Sequence, residues 1–328
     1  MSPLAEGTVG RLSRCYTPTV VDLIGAPFDL CGRRLGSRLG PAALRLAGIE
    51  EALVAIGLEV RDAGDCVASL EATASEGIRN FEPLIACLYS LKEKVAESLQ
   101  AGNIPVVMGG EHTLAAAGVS AALERFGGRM GLLWIDAHAD IHTPGSSESG
   151  NGHGMPLAAL AGLPSETDGL KDAQWRQMQA LLCPHHRLDV RNTAWFGLRD
   201  VDLPERRRLI GKPITMHRID RHGVEPTLRE IDVWFRERQI DHLWISFDVD
   251  ALDPILAPGT GTAVRGGLTY RETHLLAELV HEALCAPGCS YCLAGVDIVE
   301  TNPLYDTLNQ TAEMAVEWLS SLFGKTIL

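Results

Sequence analysis

Three apolar runs of strand length in this chain each end in a sudden burst of acid and imidazole, and that pattern constrains the fold more than any other feature. Met130 to Ile135 leads into Asp136-Ala137-His138-Ala139-Asp140, His242 to Phe247 leads into Asp248-Val249-Asp250, and Ile104 to Met108 leads into Gly109-Gly110-Glu111-His112-Thr113. In a strand, alternate side chains point to one side. If extended pairing persists past Ile135, then Asp136, His138 and Asp140 converge on one point, and Asp248 and Asp250 share a face in the same way. Two glycines before His112 let the backbone turn tightly. Ligands of open α/β sheets sit outside the carboxyl ends of the strands. Three strand ends are therefore expected to place His112, Asp136, His138, Asp140, Asp248 and Asp250 around one cavity. One such triplet alone reads equally well as a charged loop after a core strand; the repeats favour a site.

Two imidazoles and four carboxylates are too many ligands for one catalytic ion that keeps an open position. They suit a pair of divalent ions with shared carboxylates, an arrangement that activates water at neutral pH. Left unpaired, the same groups would be costly to desolvate. The set contains no thiolate, and oxygen-rich ligands with some imidazole favour manganese over zinc or copper.

Around these runs, strand and helix alternate steadily. Val20 to Gly25 reads as the first strand, and Gly40-Pro41 opens a helix continuing through Leu44, Leu46, Ile49, Leu53 and Ile56 toward the core. A short strand begins at Leu58 to Val60. A long helix starts at Pro83, carries Leu84, Leu88, Leu91, Val95 and Leu99 three or four apart, and ends at Gly102. Helices are expected after Thr113 and after Pro156, and around Thr227 to Arg238. Strands are expected at Thr193 to Leu198, at Ile214 and at Leu293 to Val299. Thr269-Tyr270-Arg271-Glu272 is a capping box, and a final helix runs from about Leu308 to Phe323. The alternation implies an α/β fold with a central, mostly parallel sheet covered on both faces. A closed β/α barrel would alternate similarly. The 328 residues read as one domain, 1–328, with a loose arm over Met1 to Thr19.

A formal charge of −13 argues against nucleic acid and anionic membrane as partners. No apolar run approaches a membrane span, and no charged start with an apolar h-region precedes the first strand. A cytoplasmic protein is expected. Eight cysteines scattered through a chain of this size read as reduced thiols. Cys285, Cys289 and Cys292 lack a fourth zinc ligand nearby, so packed or loop thiols are favoured over a zinc site.

Taken in order, GGEHT at Gly109, DAHAD at Asp136, SGNGHGMP at Ser149, GLRDVD at Gly197, SFDVDALDP at Ser246 and DIVETNP at Asp297 resemble the motif set of the ureohydrolase superfamily. SGNxHG, GLRDVD and GGLTYRE at Gly266 are similar to its arginase branch. The resemblance implies a three-layer α-β-α sandwich and two manganese ions. His112, Asp136, Asp140 and Asp248 would hold one ion, and His138, Asp136, Asp248 and Asp250 the other, with Asp136 and Asp248 bridging. It implies hydrolysis of L-arginine to L-ornithine and urea by attack of a metal-bridging hydroxide, which Asp140 orients. Glu300 would pair with the guanidinium, and His153 would pass protons to the leaving amine. Asp202, with Glu205 behind it, would take the substrate ammonium; Ser149 and Asn151 would contact the carboxylate and amine, and Thr262 would lie near the guanidinium. Arginases commonly assemble as trimers or hexamers. Two departures bear on the substrate. His142 stands where the family generally has Asn, and Glu148 adds a negative charge to a loop expected to meet a carboxylate. They leave open a modified arginine or another guanidino compound such as agmatine, guanidinobutyrate or hydroxyarginine. A metal-binding scaffold without turnover is the reading from another class.

Overall fold

The computed structural model describes residues 20–73 and 77–327; the arm expected over 1–19 lies outside them. Eight strands form one open sheet: β1 (Val21–Ala26), β2 (Val60–Asp65), β3 (Ile104–Gly109), β4 (Met130–Ile135), β5 (Thr193–Leu198), β6 (Lys212–Thr215), β7 (His242–Asp248) and β8 (Cys292–Val299). Their spatial order is β2-β1-β3-β8-β7-β4-β5-β6, and every pairing is parallel. The sheet has free edges at β2 and β6, which disposes of the closed barrel.

Eleven α-helices lie among the described residues: α1 (Gly40–Leu46), α2 (Ile49–Ala55), α3 (Phe81–Ala101), α4 (Ala115–Phe126), α5 (Pro156–Leu160), α6 (Gly169–Leu182), α7 (Leu203–Arg206), α8 (Met216–His222), α9 (Val224–Glu237), α10 (Tyr270–Cys285) and α11 (Gln310–Leu322). Because side chains alternate across a strand, β4 feeds two cores at once. Leu133 and Ile135 join the core under α1, α2 and α8 to α11. Leu132 and Trp134 join the core under α3 to α6. This is the expected three-layer sandwich, with strands apolar on both faces as buried parallel sheets require. No helix of the described residues is long and apolar enough to cross a membrane.

One local expectation fails. The helix opened by Gly40-Pro41 does not run through to Ile56: Gly48 adopts a left-handed φ of 77° and starts a second helix. That break leaves Leu46 85% exposed while Leu44, Ile49 and Leu53 are buried. Helix α6 had no counterpart in the sequence reading, because its buried stripe is thin, with Trp175, Met178 and Leu182 set among polar residues. The capping box is present as expected, with Thr269 and Glu272 exchanging side-chain and backbone hydrogen bonds at the start of α10.

The Trp244 indole holds the centre of the α3–α6 face. A methyl group added to Gly118 of α4 would lie 2.5 Å from its Cζ2, and one on Gly295 of β8 would overlap the other half of the ring. Both glycines are thus close-approach positions. Gly118→Leu should lower unfolding stability by about 1–3 kcal/mol through overpacking. The urea midpoint checks this, and an unchanged midpoint would mean that helix and sheet are not in contact there.

Candidate metal centre

The strand register levels four chain ends. Met108 pairs with Ile298, Ile298 with Phe247, and Phe247 with Ile135. Residues that follow these positions therefore emerge along one edge of the adjacent strands β3, β8, β7 and β4. The pleat does not continue past that edge. β4 stops at Ile135, and Asp140 turns back through a left-handed φ of 51°, a conformation aspartate tolerates better than most residues. Asp248 closes β7, and its Oδ1 accepts the Asp250 N–H at 2.8 Å, capping the turn that brings Asp250 round. The six predicted groups do converge, but through these turns rather than by strand alternation.

His112 Nδ1 lies 3.1 Å from Asp136 Oδ2, 3.0 Å from Asp140 Oδ2 and 3.1 Å from Asp248 Oδ2. His138 Nδ1 lies 3.2 Å from Asp136 Oδ1 and 3.1 Å from Asp250 Oδ2. Asp136 thus offers one oxygen to each histidine-centred group, and each group has the spacing of metal ligands. Asp248 meets the first through Oδ2, while its Oδ1 turns to the backbone of Asp250.

The protonation of His112 tests whether these residues fit a cation. The Trp244 indole and the Ser246 hydroxyl both donate to Asp297, each at 2.6 Å. Ser246 Oγ, its proton committed to Asp297, accepts from His112 Nε2 at 2.8 Å. The neutral imidazole so oriented turns the bare lone pair of Nδ1 toward three carboxylate oxygens, and Nδ1 has no hydrogen-bond partner. A lone pair facing three buried oxygens is repulsive unless positive charge lies between them. Trp134 fixes the rest: its ring stacks on His112 with centroids 4.0 Å apart, and its Nε1 donates to Asp136 Oδ2 at 2.9 Å.

The acids register the same demand. Burial, then the neighbouring Asp136, pushes the Asp140 pKa up to about 6. Burial, with Asp250 and Asp136, raises Asp248 as well. Burial opposes a charged His112, yet Asp136, Asp140 and Asp248 overcome it and drive its pKa upward. Without a cation the acids would draw a proton onto His112; a metal ion at Nδ1 would take that proton's place.

Next to the cluster, Glu300 follows β8 in a left-handed turn with φ 62°. Its Oε1 accepts from the His112 N–H and lies against His153 Nδ1, both at 3.0 Å. Burial alone would depress His153, but Glu300, helped by Glu111 and Asp140, raises its pKa. Thr262 donates to Asp250 Oδ2 at 2.7 Å. A cavity of about 500 Å³ opens over the cluster, reaching His138, Asp140, Asp248, His153 and Thr262 within, and Ser149, Asn151, His142 and Glu205 farther along. Asp202 meets it through His142, whose Nε2 is 3.1 Å from Asp202 Oδ2 and 3.7 Å from Glu205 Oε2. Asp202 Oδ1 also accepts the Glu205 N–H at 3.0 Å and so caps α7. Burial, then Asp140, lifts the Glu205 pKa to about 8. Glu148 is exposed and does not line the cavity.

Several participants carry no distinct signal in the sequence. Ser246 and Asp297 lie within the SFDVDALDP and DIVETNP motifs, and a buried acid within the apolar β8 is the one local sign of their role. Arg199 threads the loops behind Asp250, donating to the carbonyls of residues 197, 250, 251, 252 and 264. Arg33 and Arg79 line the cavity, and nothing local to either in the sequence foretold it. Cys285, Cys289 and Cys292 form no metal-ligand group among the described residues.

A family model described as the arginase family matches residues 20–324. The chain is similar to an arginase of Staphylococcus aureus, 38% identical over 316 residues that cover 94% of this chain and 98% of that one. Among solved structures it superposes on the arginase of Bacillus caldovelox with a TM-score of 0.83 at 34% identity, covering 94% and 99% of the two chains. It also superposes on proclavaminate amidino hydrolase from Streptomyces clavuligerus, with a TM-score of 0.68 at 25% identity, covering 92% and 90%.

Ser246→Ala removes the acceptor that holds Nε2 of His112. Divalent-cation affinity, followed by calorimetric titration into chelator-treated protein, should fall by about 10–100-fold. Equal affinity in the variant would show that the Ser246–Asp297 pair does not orient the imidazole.

Proposed function

This chain belongs to the arginase family, and on that premise we propose that it hydrolyses L-arginine to L-ornithine and urea. The observation that carries the reading is Asp136, which presents separate oxygens to two histidine-centred groups of acids at the floor of one cavity. His112, Asp136, Asp140 and Asp248 would hold one manganese ion and His138, Asp136, Asp248 and Asp250 a second; bound there, they would supply a water-derived nucleophile at neutral pH and stabilise developing charge.

The chain's own residues supply the rest. Asp140 orients the attacking oxygen by accepting its hydrogen bond. Glu300 has Oε1 engaged by His112 and His153, which leaves Oε2 for a guanidinium N–H in a charge-assisted bond. His153, its proton favoured by Glu300, delivers it to the amine that leaves as the tetrahedral carbon collapses. Thr262 steadies Asp250 and meets the guanidinium end. At the other end of the substrate, Asp202 and Glu205 take the ammonium while Ser149 and Asn151 take the carboxylate. His142 Nε2 lies between these two acids, 3.1 Å from Asp202 Oδ2 and 3.7 Å from Glu205 Oε2, so the ammonium would share them with the imidazole. We read the chain as one ureohydrolase domain that works as a cytoplasmic homo-oligomer, trimer or hexamer.

Urea release after manganese loading tests the reading, with arginine, agmatine, guanidinobutyrate and hydroxyarginine compared. Arginine should show the highest kcat/KM. A higher value for another guanidine would reassign the substrate, and tight metal binding without turnover of any would make the protein a scaffold. Asp136→Ala should lose metal and turnover together. Asp202→Ala should raise KM for arginine by about 10–100-fold, the loss of one charge-assisted bond, with a smaller change in kcat; an unaltered KM would move the ammonium elsewhere.

A further inference from the structure

The deep end of the cavity is acidic, whereas its more exposed end carries two guanidinium groups, Arg33 and Arg79. Among the described residues neither has an ion-pair partner, although arginines elsewhere in the molecule pair freely with acids, as Arg45 does with Asp62 and Arg61 with Asp22. Arg79 is exposed, but the segment that carries it is held in place. Next to it, the Ile78 N–H donates to Gln174 Oε1 at 2.7 Å and Asn80 Nδ2 donates to the Leu30 carbonyl at 2.6 Å. Its own carbonyl accepts from the Cys31 thiol at 3.0 Å.

The guanidinium donates from Nη1 to Asn151 Oδ1 at 2.7 Å and approaches the Ser149 carbonyl from Nη2 at 3.4 Å. A guanidinium has donors and no acceptor, so only the oxygen of the Asn151 amide can face Arg79. The NH2 group of Asn151 must then point the other way. The result is a donor amide of fixed orientation beside an unpaired positive charge, both lining the same cavity. That combination fits an anionic acceptor with planar oxygens.

We infer that Arg79 is a specificity-determining residue that selects guanidino substrates carrying a carboxylate, by turning the Asn151 amide toward that carboxylate and adding a positive charge beside it. The inference rests on the hydrolytic reading above and adds a residue to it. It also accounts for how a loop bearing Glu148 can receive an anion: Glu148 lies outside the cavity lining, while Arg79 is part of it.

Steady-state kinetics on manganese-loaded wild type, Arg79→Gln and Arg79→Lys, with thermal melts of each, test it. Arg79→Gln should raise KM for arginine and the inhibition constant of L-ornithine by about tenfold or more, the loss of a hydrogen bond to a charged group, and leave kcat within about twofold. Arg79→Lys, which keeps the charge but not the fork, should recover part of the loss. Salt should raise the wild-type KM, because it screens an exposed charge, and raise that of Arg79→Gln less. An unchanged KM in Arg79→Gln overturns the inference. So does an equal fall of kcat in both variants, which would mean that Arg79 only braces the loop. If Arg79→Gln does not fold, Arg79→Lys and the salt dependence of the wild type decide. Wild-type turnover of guanidinobutyrate in place of arginine would remove the arginase reading yet leave Arg79 testable on that carboxylate. Turnover of agmatine alone would remove both.

Discussion

Like charge held in a small dry space is the constraint on which this molecule turns. Asp136, Asp140, Asp248 and Asp250 are all buried, and the lone pair of His112 Nδ1 faces three of them. Coulomb repulsion at such distances, away from water, is far larger than any single packing interaction can offset. The half-buried guanidinium of Arg199 spends its donors on backbone carbonyls rather than on these acids. Protons on His112 and His138 relieve it in part, and a metal ion displacing them would be linked to folding.

The parallel sheet makes that crowding possible. Its register sets four adjacent strand ends at one level, and two apolar cores hold the sheet from both faces. The same register places Ser246 opposite Asp297, so the pair that orients His112 is made of strand neighbours. Tertiary packing also supports residues in conformations they would otherwise avoid. Asp140 and Glu300 both take left-handed backbone angles, a strain that folded proteins keep mainly where a side chain has to be aimed.

Charge changes sign along the cavity, from acids beside the cluster to guanidinium groups near solvent. A substrate with a cationic head and a zwitterionic tail matches that order, which a simple polyamine does not. Relatives on this fold are named for different guanidino compounds, so the fold cannot choose among them; the side chains at the outer end must. His142 stands among them, in contact with Asp202.

Much of this was legible in the sequence. The strands, the long helix α3, the capping box of α10 and the presence of acids and imidazoles at three strand ends all follow from patterns within a few residues of one another, because burial repeats with the period of the local backbone. What local pattern could not carry is equally definite. The break at Gly48 and the thinly striped α6 depended on what each segment packs against. The turns at Asp140 and Asp250, rather than the pleat, brought the acids together. The tautomer of His112 came from Ser246 and Asp297, more than a hundred residues away in the chain, and Arg79 reached Asn151 across 72. The sequence by itself determined which residues sit on strands, which sit at their ends and what chemistry those ends can perform. Only the tertiary structure decided which oxygen faces which nitrogen and where the counter-charges stand, since those depend on distances between segments that no local periodicity encodes.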